Sequence, residues 1–124
     1  MPTKYTLLID TVESHRCYLA LISQKQVIRD RSIKTNYNLS EKLIPALDSI
    51  GLKTLLKKRR IDAIAVKTGP GSFSALRTGI AVANGLALAY HLPLAAVKGV
   101  LHNPDLINRT KRALKQKARF DPTP

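Results

Sequence analysis

The sequence predicts an α/β protein, a single mixed-sheet lobe in the order βββαβαβ followed by a basic C-terminal tail. Three observations carry this. Apolar, β-rich runs lie at 5–9, 16–22, 26–33 and 61–67. Two stretches with helical apolar spacing follow the third and fourth runs. A glycine–proline turn, Gly69-Pro70-Gly71-Ser72, joins the fourth run to the second helical stretch. A chain of 124 residues with 44% hydrophobic content is expected to form one domain with a real core. The lobe is placed at 1–100 and the tail at 101–124.

Residues 5–9 read as a buried strand, and the polar residues from Asp10 to His15 as a turn. Residues 16–22 alternate, so Cys17, Leu19 and Leu21 share one face of a second strand. A short turn at 23–25 then gives a hairpin into a third strand. Asn38, with Glu41 three residues on, has the form of a helix N-cap with a capping box. Leu39, Leu43, Ala46, Leu47 and Ile50 form the apolar face of that helix. Gly51 is expected to kink or end it, and Leu52, Leu55 and Leu56 carry the face on to Lys57-Lys58-Arg59-Arg60. Pro45 removes one backbone donor and predicts a kink.

The run at 61–67 is apolar at its core positions and reads as a central strand. The second helix, 74–90, carries two rows of small residues. Ala75, Gly79, Ala83 and Ala87 form one; Ala81, Gly85 and Ala89 form the other. Such rows allow a sheet or a second subunit to approach closely, and both readings stand at this point. Residues 94–97 read as a last strand. Residues 105–120 have the pattern of a basic amphipathic helix or of a frayed tail.

The formal net charge is +13, which points to acidic partners: nucleic acid, an acidic protein or an anionic surface. The charge concentrates in the block at 57–60 and in the tail residues Arg109, Lys111, Arg112, Lys115, Lys117 and Arg119. The tail residues are candidate polyanion contacts, against the alternative of a solvated surface. A single cysteine, Cys17, excludes an internal disulfide framework and reads as a buried, inert thiol. The first apolar run is too short for a secretory signal. Asn84, His91 and Pro93 interrupt the longest apolar window, so no membrane role and a cytoplasmic location are expected.

The glycine turn lacks the spacing of a dinucleotide fingerprint and has no Gly-Lys-Ser/Thr of a P-loop. Its amides can hold an anion or pack a helix close to a sheet. Asp10 follows a strand, where an acidic residue can hold a hydrated magnesium ion. A nuclease would need further carboxylates converging on it, and the fourth strand ends in Lys67-Thr68 instead. Asp10, Thr11 and Arg77 are therefore candidate nucleotide or phosphate contacts only. His15, His91 and His102 match no metal spacing. No Ser-His-Asp or Cys-His arrangement assembles, so no catalytic residue and no metal site are assigned.

Three antiparallel strands opening on an aspartate resemble the start of the actin-like ATPase and ribonuclease-H-like folds. The string Gly69-Pro70-Gly71-Ser72-Phe73-Ser74-Ala75-Leu76-Arg77-Thr78-Gly79 is narrower. It resembles the GPGSFTGLRIG-type signature of the TsaB (YeaZ) family. Leu7-Leu8-Ile9-Asp10-Thr11, Ser40-Glu41-Lys42-Leu43-Ile44-Pro45, Gly85-Leu86-Ala87-Leu88-Ala89 and Pro93-Leu94 resemble further family blocks in order. The likeness runs from about Tyr5 to Val100. Leu39 departs from it, standing where the family often has a histidine.

The resemblance implies a non-catalytic partner of TsaD in threonylcarbamoylation of adenosine 37 in tRNA, with TsaE as third member. It implies pairing through the helices, at Leu43, Leu47, Ala75, Gly79, Ala83 and Ala87, with a homodimer as an alternative use of that face. ATP and magnesium would belong to the complex, not to this chain alone. The family has a second lobe where this sequence has its basic tail, and nucleotide in this fold class lies between lobes. Two other classes stay open: a stand-alone basic RNA-binding domain, and a minimal ATPase dependent on Asp10.

Overall fold

A computed structural model describes residues 3–13, 15–24, 26–71 and 73–98. The basic tail expected at 101–124, including Arg109, Lys111, Arg112, Lys115, Lys117 and Arg119, lies outside the described residues, as does Ser72. The elements are β1 (Tyr5–Glu13), β2 (Arg16–Ser23), β3 (Gln26–Lys34), α1 (Leu39–Ser49), α2 (Leu52–Lys57), β4 (Ile61–Lys67), α3 (Phe73–Tyr90) and β5 (Leu94–Val97). They form one five-stranded sheet in the order β3-β2-β1-β4-β5. The β1–β2 and β2–β3 pairs are antiparallel; β1–β4 and β4–β5 are parallel. The α/β class and mixed sheet are as predicted.

One boundary differs from the sequence reading, and at Gly51 one of the two expected outcomes is found, each for a physical reason. β1 does not turn at Asp10 but runs on to Glu13, with a register irregularity against β2 between those residues. Its polar residues stay in the strand because they are satisfied inside the fold: the Val12 amide donates to Asp10 Oδ1 (3.1 Å), and Thr11 Oγ1 donates to the Ala75 carbonyl (2.8 Å). The first helical stretch is two helices. Gly51 sits at φ +84°, a left-handed conformation that ends α1 and starts α2. The guanidinium of Arg29, on β3, donates from Nη1 to the Ile50 carbonyl at 2.8 Å, serving one of the carbonyls that a helix end leaves open.

Asn38 precedes α1 as expected, but it makes no capping box. Its Oδ1 accepts from the Asn36 amide (2.9 Å), while its own carbonyl accepts from the amides of Glu41 and Lys42. The side chain closes the loop before the helix rather than the helix end. α1 runs through Pro45, whose ring lies on the exposed side, where water can serve the carbonyl left without a donor.

The core has two layers. On one face of the sheet Leu7, Ile9, Leu19, Ile64 and Val66 meet Leu43 and Leu47 of α1 and Ala83 and Ala87 of α3. On the other, Leu8, Tyr18, Ala20, Ile22, Ala65 and Val97 form a second cluster. The three middle strands are therefore buried on both faces, which is why β1 and β4 read as nearly continuous apolar runs. β3 is the outer strand, exposed along almost its whole length. Arg29, Asp30 and Arg31 keep that edge charged, which opposes edge-to-edge pairing.

Candidate functional site

The predicted site residues gather where β1 and β4 end beneath the start of α3. Thr11 is fully buried against α3, and a Cβ on Gly79 would run into its hydroxyl and methyl. Gly71 lies so close to β1 that a Cβ there would meet the Val12 carbonyl. Gly69 takes φ +107°, which favours glycine, and a Cβ there would stand 3.0 Å from Leu76 Cδ1; the Gly69–Pro70 peptide is cis. The glycines thus let the chain lie flat on β1 and bring α3 down onto the sheet. Of the two sequence readings, close helix–sheet packing accounts for Gly69 and Gly71.

This placement corrects part of the site. Thr11 packs against Gly79 and donates to the Ala75 carbonyl. Asp10 is fully buried rather than presented on a turn. Lys67, also fully buried, follows the last registered β1–β4 pair, Ile9–Val66, just as Asp10 does. The ends of the two central strands thus bring an acidic and a basic side chain inside the protein. Thr68 Oγ1 beside them is buried without a hydrogen bond among the described residues. Burial, and then the Asp10 charge, push the Cys17 thiol up to about 12. Burial, the hydrogen bond to Asp30 and the charges of Asp30 and Asp10 raise Tyr18. Among the described residues, no three His, Cys, Asp or Glu side chains cluster as a metal site.

The residues expected at a partner interface lie inside the fold. Leu43, Leu47, Ala75, Ala83 and Ala87 are buried within this chain's own core, and Gly79 is filled by Thr11. The other row of α3 is open: Ala81, Gly85, Leu88 and Ala89 are exposed, and a Cβ on Gly85 would meet nothing within 4 Å. Arg77 is exposed on the same helix, and a shallow depression of about 420 Å³ lined by Ser74, Arg77, Thr78 and Ala81 continues that row.

The basic residues divide. Arg60 is structural: its Nε donates to the Thr3 carbonyl (3.0 Å), its Nη2 to the Tyr5 hydroxyl (3.2 Å), and its guanidinium lies 5.3 Å from the Tyr5 ring centre. A second basic cluster escaped the sequence reading. It lies where the β1–β2 hairpin meets the β3–α1 loop, and its signal was the pairing of Arg16 with Lys34 across β2 and β3. No helix among the described residues is long and apolar enough to cross a membrane.

A five-stranded mixed sheet with an antiparallel β1–β2–β3 unit and parallel β4 and β5, covered by helices, is the ribonuclease-H-like lobe. The RuvC of T. thermophilus, solved with a Holliday junction substrate, shares that fold at a TM-score of 0.56 over 96% of this chain and 97% of that one, at 12% identity. A narrower likeness is to YeaZ from Pseudomonas aeruginosa, with a TM-score of 0.62 and 28% identity over 77% of this chain and 44% of that one. A family model described as TsaD, tRNA N6-adenosine threonylcarbamoyltransferase, matches residues 32–103. The tRNA threonylcarbamoyladenosine biosynthesis protein TsaB of Haemophilus influenzae is 30% identical over 77% of this chain and 40% of its own length. The tRNA N6-adenosine threonylcarbamoyltransferase of Hyperthermus butylicus is 47% identical over 47% of this chain and 15% of its own.

The chain belongs to the TsaB (YeaZ) family. It spans about 40% of the length of the TsaB relatives it matches.

Proposed function

We propose that this chain is a non-catalytic partner subunit in threonylcarbamoyladenosine biosynthesis, pairing with a TsaD threonylcarbamoyltransferase. The observation that carries the reading is the open small-residue row of α3, at Ala81, Gly85 and Ala89, with Leu88 47% exposed beside it. Ile44, 50% exposed on α1, adds an apolar side chain on a helix that covers the same face of the sheet. Small residues on an exposed helix face let a second helix approach closely, and the apolar side chains supply the area that binding needs. The pairing face is thus shifted around the helix from the row that the sequence suggested. TsaE, ATP with magnesium, and tRNA enter as components of the assembly, and the tail residues Arg109 to Arg119 supply tRNA affinity.

Light scattering after gel filtration tests the pairing, with this chain alone and mixed with TsaD from the same organism. A one-to-one complex is the expected result. A stable homodimer that ignores TsaD would replace this reading with self-association through the same row. Metal-dependent ATP turnover by the isolated chain, lost in Asp10→Ala, would replace it with the enzyme reading.

A further inference from the structure

We infer that the cleft between the β1–β2 hairpin and the β3–α1 loop binds single-stranded polynucleotide, with Arg16, Lys34 and Lys42 on the phosphates and Tyr37 as a stacking face. The cleft has a volume of about 420 Å³ and is lined by His15, Arg16, Lys34 and Lys42, with Glu13 as its one acidic residue. The β2–β3 register sets Arg16 directly opposite Lys34. Like charges so placed oppose strand pairing. Lys42 of α1 adds to the crowding, because its Nζ donates to the Lys34 carbonyl at 3.3 Å. Glu13, which stands opposite Arg16 across β1 and β2, offsets one of the three cations; the cleft keeps a positive balance, and a bound polyanion is favoured there.

Tyr37 supplies the second half of the argument. Its side chain is 80% exposed, so it gains almost nothing from burial, and its backbone takes φ +58°. The ring stands 5.1 Å from that of His15, near perpendicular at 78°, which ties it to the rim of the cleft by an edge contact and leaves most of its surface to solvent. Cations that track a backbone beside a flat aromatic face are what single-stranded nucleic acid requires. An acidic peptide would use the cations and leave the ring idle. The net charge of +13 favours polyanions over the whole molecule. The inference goes beyond pairing with TsaD and does not rest on it.

The test is fluorescence anisotropy of the full chain with a short labelled single-stranded oligonucleotide, RNA in one arm and DNA in the other, over a salt series. Lys34→Gln/Lys42→Gln is expected to weaken binding and to flatten the slope of log affinity against log salt by about 1.4, at ~0.7 per lost phosphate contact. Tyr37→Ala is expected to weaken binding about tenfold with the slope unchanged. Lys53→Gln/Lys57→Gln on α2 removes the same charge elsewhere and is the comparison. The arm bound more tightly identifies the polynucleotide. Equal losses in the two lysine pairs would overturn the site. So would an unchanged affinity in Tyr37→Ala with polyglutamate competing as well as the oligonucleotide, which would reassign the cleft to an acidic protein.

Discussion

Thr11 on β1 occupies the space that a Cβ on Gly79 of α3 would need, and its hydroxyl donates to the carbonyl of Ala75 one turn earlier in the same helix (2.8 Å). One side chain thereby sets both the height and the position of α3 over the sheet. Two glycines of that helix should therefore respond in opposite directions. Gly79→Ala gains helix propensity but forces α3 off Thr11, for a net loss of about 1–3 kcal/mol. Gly85→Ala meets open space and should gain up to about 1 kcal/mol in the isolated chain. Denaturant unfolding of both variants checks this. Thr11→Ala/Gly79→Ala should lose less than the two single changes added together, because Thr11→Ala opens the room that the new methyl at 79 needs.

Gly71 makes a parallel case in the turn. Gly71→Ala drives a methyl into the Val12 carbonyl, a backbone atom that cannot rotate away. We expect a loss of about 1–3 kcal/mol. Gly85→Ala, whose added methyl meets nothing within 4 Å, is the comparison. A thermal melt that moved equally for the two would contradict the close approach.

Cys17 gives a pH prediction. The folded protein holds the thiol proton up to about 12, while the unfolded chain releases it near the ordinary value of 9.0. Below 9 the two states carry the same proton and Cys17 contributes no pH dependence. Above 9 the unfolded chain loses it first, so stability falls as pH rises toward 12. Cys17→Ala should flatten that limb of the stability curve. In the same range iodoacetamide should label the thiol slowly in buffer and rapidly in urea, because 1% exposure and a protonated sulfur both protect it.

The open row of α3 predicts a separation of stability from assembly. Leu88→Glu places a charge on a side chain already 47% exposed, so the melting curve of the isolated chain should shift little. The proposed complex with TsaD, measured by gel filtration with light scattering, should weaken at least tenfold in this variant, since an unpaired charge is costly at a buried interface. The matching change on the other row, Ala83→Glu, should unfold the chain, because that residue is fully buried beneath the helix. An intact complex with Leu88→Glu would move the pairing face elsewhere.

Much of this protein is determined locally and can be read without coordinates. The apolar runs of β1 and β4, the hairpin β2–β3 and the helical spacing of α1 and α3 depend on residues close in sequence. The sheet and helices therefore follow from periodicity alone, and the string from Gly69 to Gly79 carries the family. What tertiary structure decided is which side of each element is used. Two rows of small residues on α3 look equivalent in the sequence. Thr11, more than sixty positions away in the chain, takes one and leaves the other open. The same holds for Thr11, which reads as part of a polar turn but stays in a strand where its partner comes from α3. Arg16, Lys34 and Lys42 are unremarkable charges until the β2–β3 register and the start of α1 bring them to one cleft. Periodicity states that a face exists; only long-range packing, where one atom excludes another from the same volume, states what fills it.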